Sequence, residues 1–159
     1  MKPIYLEMNY FGPHENSVVD FRLLDESPIF LISGDTGAGK STIFDAMTYA
    51  LFGTTTGDRD AKEMRSQFAT ADDRTSVTFY FEQGNLLYRI ERSPEQKLSK
   101  KRGSGSTLQK STAKLAIVDR VKGIEKNNIA INPKNVGEEI TRLLHLNAEQ
   151  FKKIILLPQ

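Results

Sequence analysis

The sequence predicts an α/β fold, a mixed sheet carrying an antiparallel hairpin and a helix, and three observations carry the prediction. Apolar residues alternate at Ile4, Leu6, Met8 and Tyr10, the period of a half-buried strand. A short continuous apolar run over 28–32 leads directly into the glycine-rich octet Gly34 to Ser41. Ile43, Phe44, Met47 and Leu51 then recur at helical spacing, giving a stripe that can lie on a sheet. Strand, loop and helix in that order begin a βα unit.

The first strand runs over 4–10, and Gly12-Pro13 breaks it. A second strand is expected over 17–21. The run at 28–32 has the composition of a strand buried on both faces of a parallel sheet. The helix after the octet should end at Gly53, which suits a left-handed C-terminal cap. Val77, Phe79 and Phe81 alternate, as do Leu86, Tyr88 and Ile90, and Gln83-Gly84-Asn85 between them reads as the turn of an antiparallel hairpin. Ala113, Leu115 and Ile117 offer it a third strand. Asn135 followed by Glu138 reads as a capping box, with Val136, Ile140, Leu143 and Leu144 as the buried side of the helix it starts. Asn147 and Gln150 repeat that start signal before Phe151.

Composition bounds the function. At 159 residues the chain has the size of one domain or part of one, and 38% hydrophobic with 26% charged residues is a globular composition. With no cysteine and only His14 and His145, disulfides, thiol nucleophiles and thiolate or histidine zinc sites are excluded. A net charge of +2 names no nucleic-acid or membrane partner for the chain as a whole. No apolar run approaches the roughly 20 residues of a membrane span, and Glu7 stands where a signal peptide keeps its apolar segment. A soluble, cytoplasmic protein with no membrane partner is expected.

Gly34-Asp35-Thr36-Gly37-Ala38-Gly39-Lys40-Ser41 fits the pattern G-x-x-x-x-G-K-[ST], placed between an expected strand and an expected helix. That context points to a P-loop NTPase. The glycines let the backbone curl so that N–H groups from Gly37 to Thr42 face inward, and the helix N-terminus adds partial positive charge. Lys40 would reach the β- and γ-phosphates of ATP, and the Ser41 hydroxyl would ligate Mg²⁺. Leu115-Ala116-Ile117-Val118-Asp119 imitates the apolar strand that brings a second metal-binding Asp. Arg120 follows it, so there is no Asp-Glu pair, and the hairpin offers that segment an antiparallel partner instead. The guanine-reading Asn/Thr-Lys-x-Asp is absent. The residues alone therefore support ATP binding better than hydrolysis, and a small P-loop kinase stays open provided Asp119 lies close to Ser41.

The order of motifs adds to this. Phe11-Gly12-Pro13-His14 closes the first strand; the P-loop continues as Thr42-Ile43-Phe44-Asp45-Ala46 and Ala50-Leu51-Phe52-Gly53; Met64-Arg65-Ser66 follows, and Phe151-Lys152-Lys153-Ile154-Ile155-Leu156-Leu157-Pro158-Gln159 comes last. Across essentially all 159 residues this resembles the start of the SbcC exonuclease-subunit family, relatives of the SMC proteins. The resemblance implies the first lobe of an ABC-type ATPase head, with Gln159 as the Q-loop glutamine that contacts metal and water. It implies that Arg65 and Ser66 lie in the stretch that approaches nucleotide, although an exposed helix-end pair fits them nearly as well. One departure stands out: Gly12 occupies a position where related repair ATPases place a nucleotide-contacting arginine, which leaves the backbone or His14, read as a surface residue, to act there. The family's coiled coil, signature motif, Asp-Glu pair and second lobe lie beyond position 159. The expectation is therefore an excised lobe with little or no turnover alone. The implied partners are a nuclease protein, SbcD, a second SbcC head engaged through ATP, and double-stranded DNA. Another SMC-like or RecF-like head is the alternative.

One local patch could meet DNA. Residues 93–110 carry Lys97, Lys100, Lys101, Arg102 and Lys110 against the single acid Glu95, around Gly103-Ser104-Gly105-Ser106. This reads as a flexible basic loop that phosphates would attract through counterion release, or as a solvated hairpin tip.

Overall fold

The computed structural model describes residues 1–24, 31–57, 59–100 and 103–155. β1 (Lys2–Phe11) and β2 (His14–Asp20) form the first hairpin, and β3 (Ser76–Gln83) and β4 (Leu86–Ser93) the second. With β7 (Thr112–Val118) and β8 (Glu125–Ile131) they build a six-stranded sheet in the order β2-β1-β3-β4-β7-β8. β5 (Gln96–Ser99) and β6 (Ser106–Gln109) form a separate two-stranded sheet. Every pairing among the described strands is antiparallel.

Register explains the core. Leu6, Phe79, Ile90 and Leu115 lie side by side across four strands, all with no exposure; each such side chain contributes about 1.5–3 kcal/mol relative to exposure. Met8, Val77, Arg92 and Ala113 form the next row, so a guanidinium sits on the apolar face. The opposite face is charged: Arg89 pairs with Glu125 at 2.6 Å and with Glu91 at 2.8 Å, and Lys114 also pairs with Glu125. The period-2 alternation read in the sequence is this division into two faces.

The helices α1 (Lys40–Phe52), α2 (Pro133–Leu144) and α3 (Ala148–Ile155) cover the apolar face. α1 is more central than one apolar stripe implies: Ala46 through Leu51 are all buried. It ends where expected, at Gly53, whose positive φ of 77° lets its N–H reach the Tyr49 carbonyl at 2.8 Å. α2 starts earlier than the Asn135 reading. Asn132 is the cap, its Oδ1 accepting from Asn135 N–H at 3.0 Å, with Pro133 in the first turn. The box at Asn147 is reciprocal: its Oδ1 accepts from Gln150 N–H at 2.9 Å, and Gln150 Oε1 accepts from Asn147 N–H at 3.0 Å.

Two expectations change. Of the run 28–32, residues 28–30 lie outside the described residues, and Leu31 and Ile32 are coil with Leu31 88% exposed. A strand buried on both faces needs neighbours on both edges, and none of the described strands pairs there. The basic segment is an ordered hairpin where it is described: Gln96 faces Gln109 and Ser99 faces Ser106, and Ser99 N–H bonds the Ala71 carbonyl at 2.7 Å. No helix among the described residues is long and apolar enough to cross a membrane.

Candidate functional site

The glycine-rich loop emerges at the N-terminus of α1, on the end of the molecule where the β1–β2 turn also lies. Three of its glycines take left-handed φ angles, Gly34 at 154°, Gly37 at 88° and Gly39 at 86°, conformations that L side chains seldom adopt. Ala38 N–H bonds the Asp35 carbonyl at 3.1 Å and Thr42 N–H bonds the Gly39 carbonyl at 3.1 Å, which closes the curl. Lys40 folds back over it, its ammonium donating to the Gly34 carbonyl at 2.6 Å and the Asp35 carbonyl at 2.7 Å. These residues border a cleft of about 520 Å³. Its shape and donor chemistry suit a polyphosphate: left-handed glycines, main-chain amides, an ammonium and the exposed Ser41 hydroxyl.

The β1–β2 turn buttresses this loop at van der Waals distance. Gly12 has φ +58°, and a Cβ placed there would lie 2.7 Å from Thr42 Cγ2; its N–H donates to the Met64 carbonyl at 2.6 Å. An arginine at position 12 would collide with the first turn of α1, which explains the glycine. His14 is not a free surface residue. Its Nε2 is 3.3 Å from the Gly39 carbonyl oxygen and its Nδ1 is 2.9 Å from Ser17 Oγ.

Asp45, one turn into α1, accepts from Thr56 N–H at 2.9 Å and from the Thr56 hydroxyl. Thr55, 1% exposed, donates its hydroxyl to the Arg59 carbonyl at 2.8 Å. These bonds hold Arg59 at the edge of the cleft. Arg59 escaped sequence reasoning because it lies in a stretch without periodicity, and only the fold brings it to the loop.

The structure does not bring Arg65 and Ser66 to the cleft. Arg65 bridges Phe11, and its guanidinium donates to the Thr70 carbonyl at 2.6 Å, Gln96 Oε1 at 2.7 Å, the Asp73 carbonyl at 2.9 Å and Thr75 Oγ1 at 3.0 Å. Ser66 is buried, its N–H donating to the Tyr10 carbonyl at 2.8 Å. The pair is therefore not an exposed helix end either. Gln159, Lys101 and Arg102 lie outside the described residues. Lys97 and Lys100 are described on or beside the β5–β6 hairpin, Lys97 being exposed, and Glu95 beside them pairs with Lys62 at 2.7 Å.

Asp119 sits at the β7–β8 turn, where its carboxylate accepts from Val121 N–H at 2.8 Å and Lys122 N–H at 2.9 Å and pairs with Lys126 at 2.9 Å. The Lys122 amide first, then the Lys126 ammonium and the Val121 amide, hold its carboxyl down at about 2. It caps a turn, as an antiparallel strand end requires.

The far end of α1 holds a second cavity, of about 380 Å³, bordered by Arg92. Arg92 is 3% exposed and donates Nε to the Ala50 carbonyl at 2.8 Å and Nη2 to the Leu51 carbonyl at 3.1 Å. Burial pushes its guanidinium down to about 10. Burial also pushes the neighbouring Tyr49 hydroxyl well above its usual range.

Comparison with known proteins agrees with this geometry. The chain is 99% identical over 159 residues to the SbcC component of the SbcCD nuclease of Lactococcus lactis subsp. lactis, covering 100% of the chain and 15% of that protein, in its N-terminal part. It is 40% identical over 161 residues to the protein of the same name from Vibrio cholerae, covering 16% of it, and 41% identical over 162 residues to that of Staphylococcus aureus strain MRSA252, covering 15%. In both the whole of this chain is matched. The chain thus spans about one-sixth or less of the length of these curated relatives. The sequence profile of the AAA domain family matches residues 5–159, which take in the glycine-rich loop and all three helices, and the chain belongs to that nucleotide-binding family.

Proposed function

We propose that this chain is the first lobe of an SbcC-type ATPase head and that its cleft takes ATP with Mg²⁺. The observation that carries the reading is the loop: left-handed glycines under a folded-back lysine, at the open end of a buried helix. In this reading amides from Gly37 to Thr42 face the phosphate oxygens, while Gly34, Asp35, Thr36 and Ala38 shape the curl. Lys40 exchanges two neutral carbonyls for phosphate oxygens, a gain because hydrogen bonds between ionised groups are about twice as strong as neutral ones. Ser41 would hold the metal together with those oxygens. When bound, Mg²⁺ supplies charge neutralisation at the transferring phosphoryl group. Gln159 would position water, on the strength of its motif context.

The wider role follows from the relatives' names. The head would drive a nuclease assembly in which two heads engage through ATP, SbcD carries the cleavage chemistry, and double-stranded DNA is the substrate, in the cytoplasm. Lys97, Lys100, Lys101 and Arg102 would meet DNA phosphates without reading sequence. The kinase alternative needs Asp119 at the metal, and that carboxylate is committed to a turn and to Lys126. The test is equilibrium titration of MgATP into the full-length chain. Saturable binding that Lys40→Ala abolishes is expected; undiminished binding by that variant would overturn the assignment.

A further inference from the structure

We propose that His14 is a positioning residue for the phosphate-binding loop, fixing the orientation of the peptide unit between Gly39 and Lys40. The proposal rests on the ATP-binding reading above. Gly39 and Lys40 share one planar trans peptide, so the Gly39 C=O and the Lys40 N–H point in opposite directions. The Gly39 oxygen is held toward the β1–β2 turn by His14 Nε2 at 3.3 Å. The Lys40 amide is thereby turned the other way, into the curl of 34–39, where an anion would sit.

The chemistry of the ring supports this role. A carbonyl oxygen only accepts, so the contact requires the proton on Nε2. In the neutral ring Nδ1 is then an acceptor, and Ser17 Oγ at 2.9 Å can donate to it. Ser17 thus selects the tautomer that bonds the loop. The fit is close on every side: a Cβ at Gly39 would lie 2.6 Å from His14 Nε2 and 2.7 Å from Pro13 Cγ. This glycine is needed for the approach of the turn as well as for its own φ of 86°.

The experiment compares MgATP affinity and melting temperature of the full-length chain with those of His14→Ala, His14→Gln and Ser17→Ala. Loss of one hydrogen bond that orients a binding amide should weaken binding by about 3- to 10-fold in His14→Ala. His14→Gln, whose amide N–H can stand in for Nε2–H, should recover most of it, and Ser17→Ala should cost about 2-fold. Melting temperatures without nucleotide should stay close to that of the unaltered chain. Equal affinity in His14→Ala and the unaltered chain would overturn the proposal while leaving the ATP-binding reading intact. Failure of His14→Gln to recover affinity would also overturn it. An unaltered chain that binds no MgATP would overturn the reading itself, and the proposal with it.

Discussion

The two ends of α1 are finished in opposite ways. At the C-terminal end, protein groups satisfy the helix: Gly53 N–H bonds the Tyr49 carbonyl, and buried Arg92 bonds those of Ala50 and Leu51. At the N-terminal end no side chain caps the helix, and the nearest cation, Lys40, rests on two loop carbonyls. A helix carries partial positive charge at its start and partial negative charge at its end. Here the cation that suits the end is built in, while the anion that suits the start must come from outside. The contrast separates what the fold completes from what it reserves for a ligand.

The strongest way to break this contrast is to remove the internal cation. Arg92→Met keeps volume but leaves two buried carbonyls without donors, at about 1–3 kcal/mol each. The expected loss is about 2–4 kcal/mol in urea unfolding, and no loss would show that desolvation of the guanidinium offsets its bonds. At the other end, Gly12→Ala places a methyl 2.7 Å from Thr42 Cγ2 at a φ of +58°. We expect about 1–3 kcal/mol of destabilisation by the same measurement, together with weaker nucleotide binding because α1 must shift. Acid provides the smallest and most diffuse test. Asp20 beside Arg22, Glu125 beside Lys114, Glu139 beside Arg142 and Asp119 at its turn all titrate below their usual values. Depressed carboxyl values stabilise the fold above about pH 4 and cease to do so as pH falls through the folded values. The melting temperature should therefore drop progressively from about pH 4 toward pH 2, and a flat profile would contradict the assignment.

Local signals made much of the fold legible. Period-2 runs gave β1, β3, β4 and β7, and Gly53 marked the end of α1, because these depend on neighbours within a turn or a strand. The capping box of α3 was equally plain in Asn147 and Gln150. Asn132 was missed as the cap of α2 although Pro133 after it was a usable signal, proline favouring the first helical turn. What sequence distance hides is contact. His14 meets Gly39 across 25 positions and Arg65 meets Gln96 across 31, and no periodicity encodes either pair. The run at 28–32 misled for a different reason, since continuous apolar character does not say whether neighbouring strands exist on both sides.

The Arg65 fork has a mechanical consequence. By joining the carbonyls of Thr70 and Asp73 to Gln96, it roots the β5–β6 hairpin in the body of the molecule. Lys97 and Lys100 are therefore carried by an arm of set direction, not by a tether. A polyanion arriving there meets a backbone whose ordering was completed during folding, so little of the attraction is consumed in stiffening the arm.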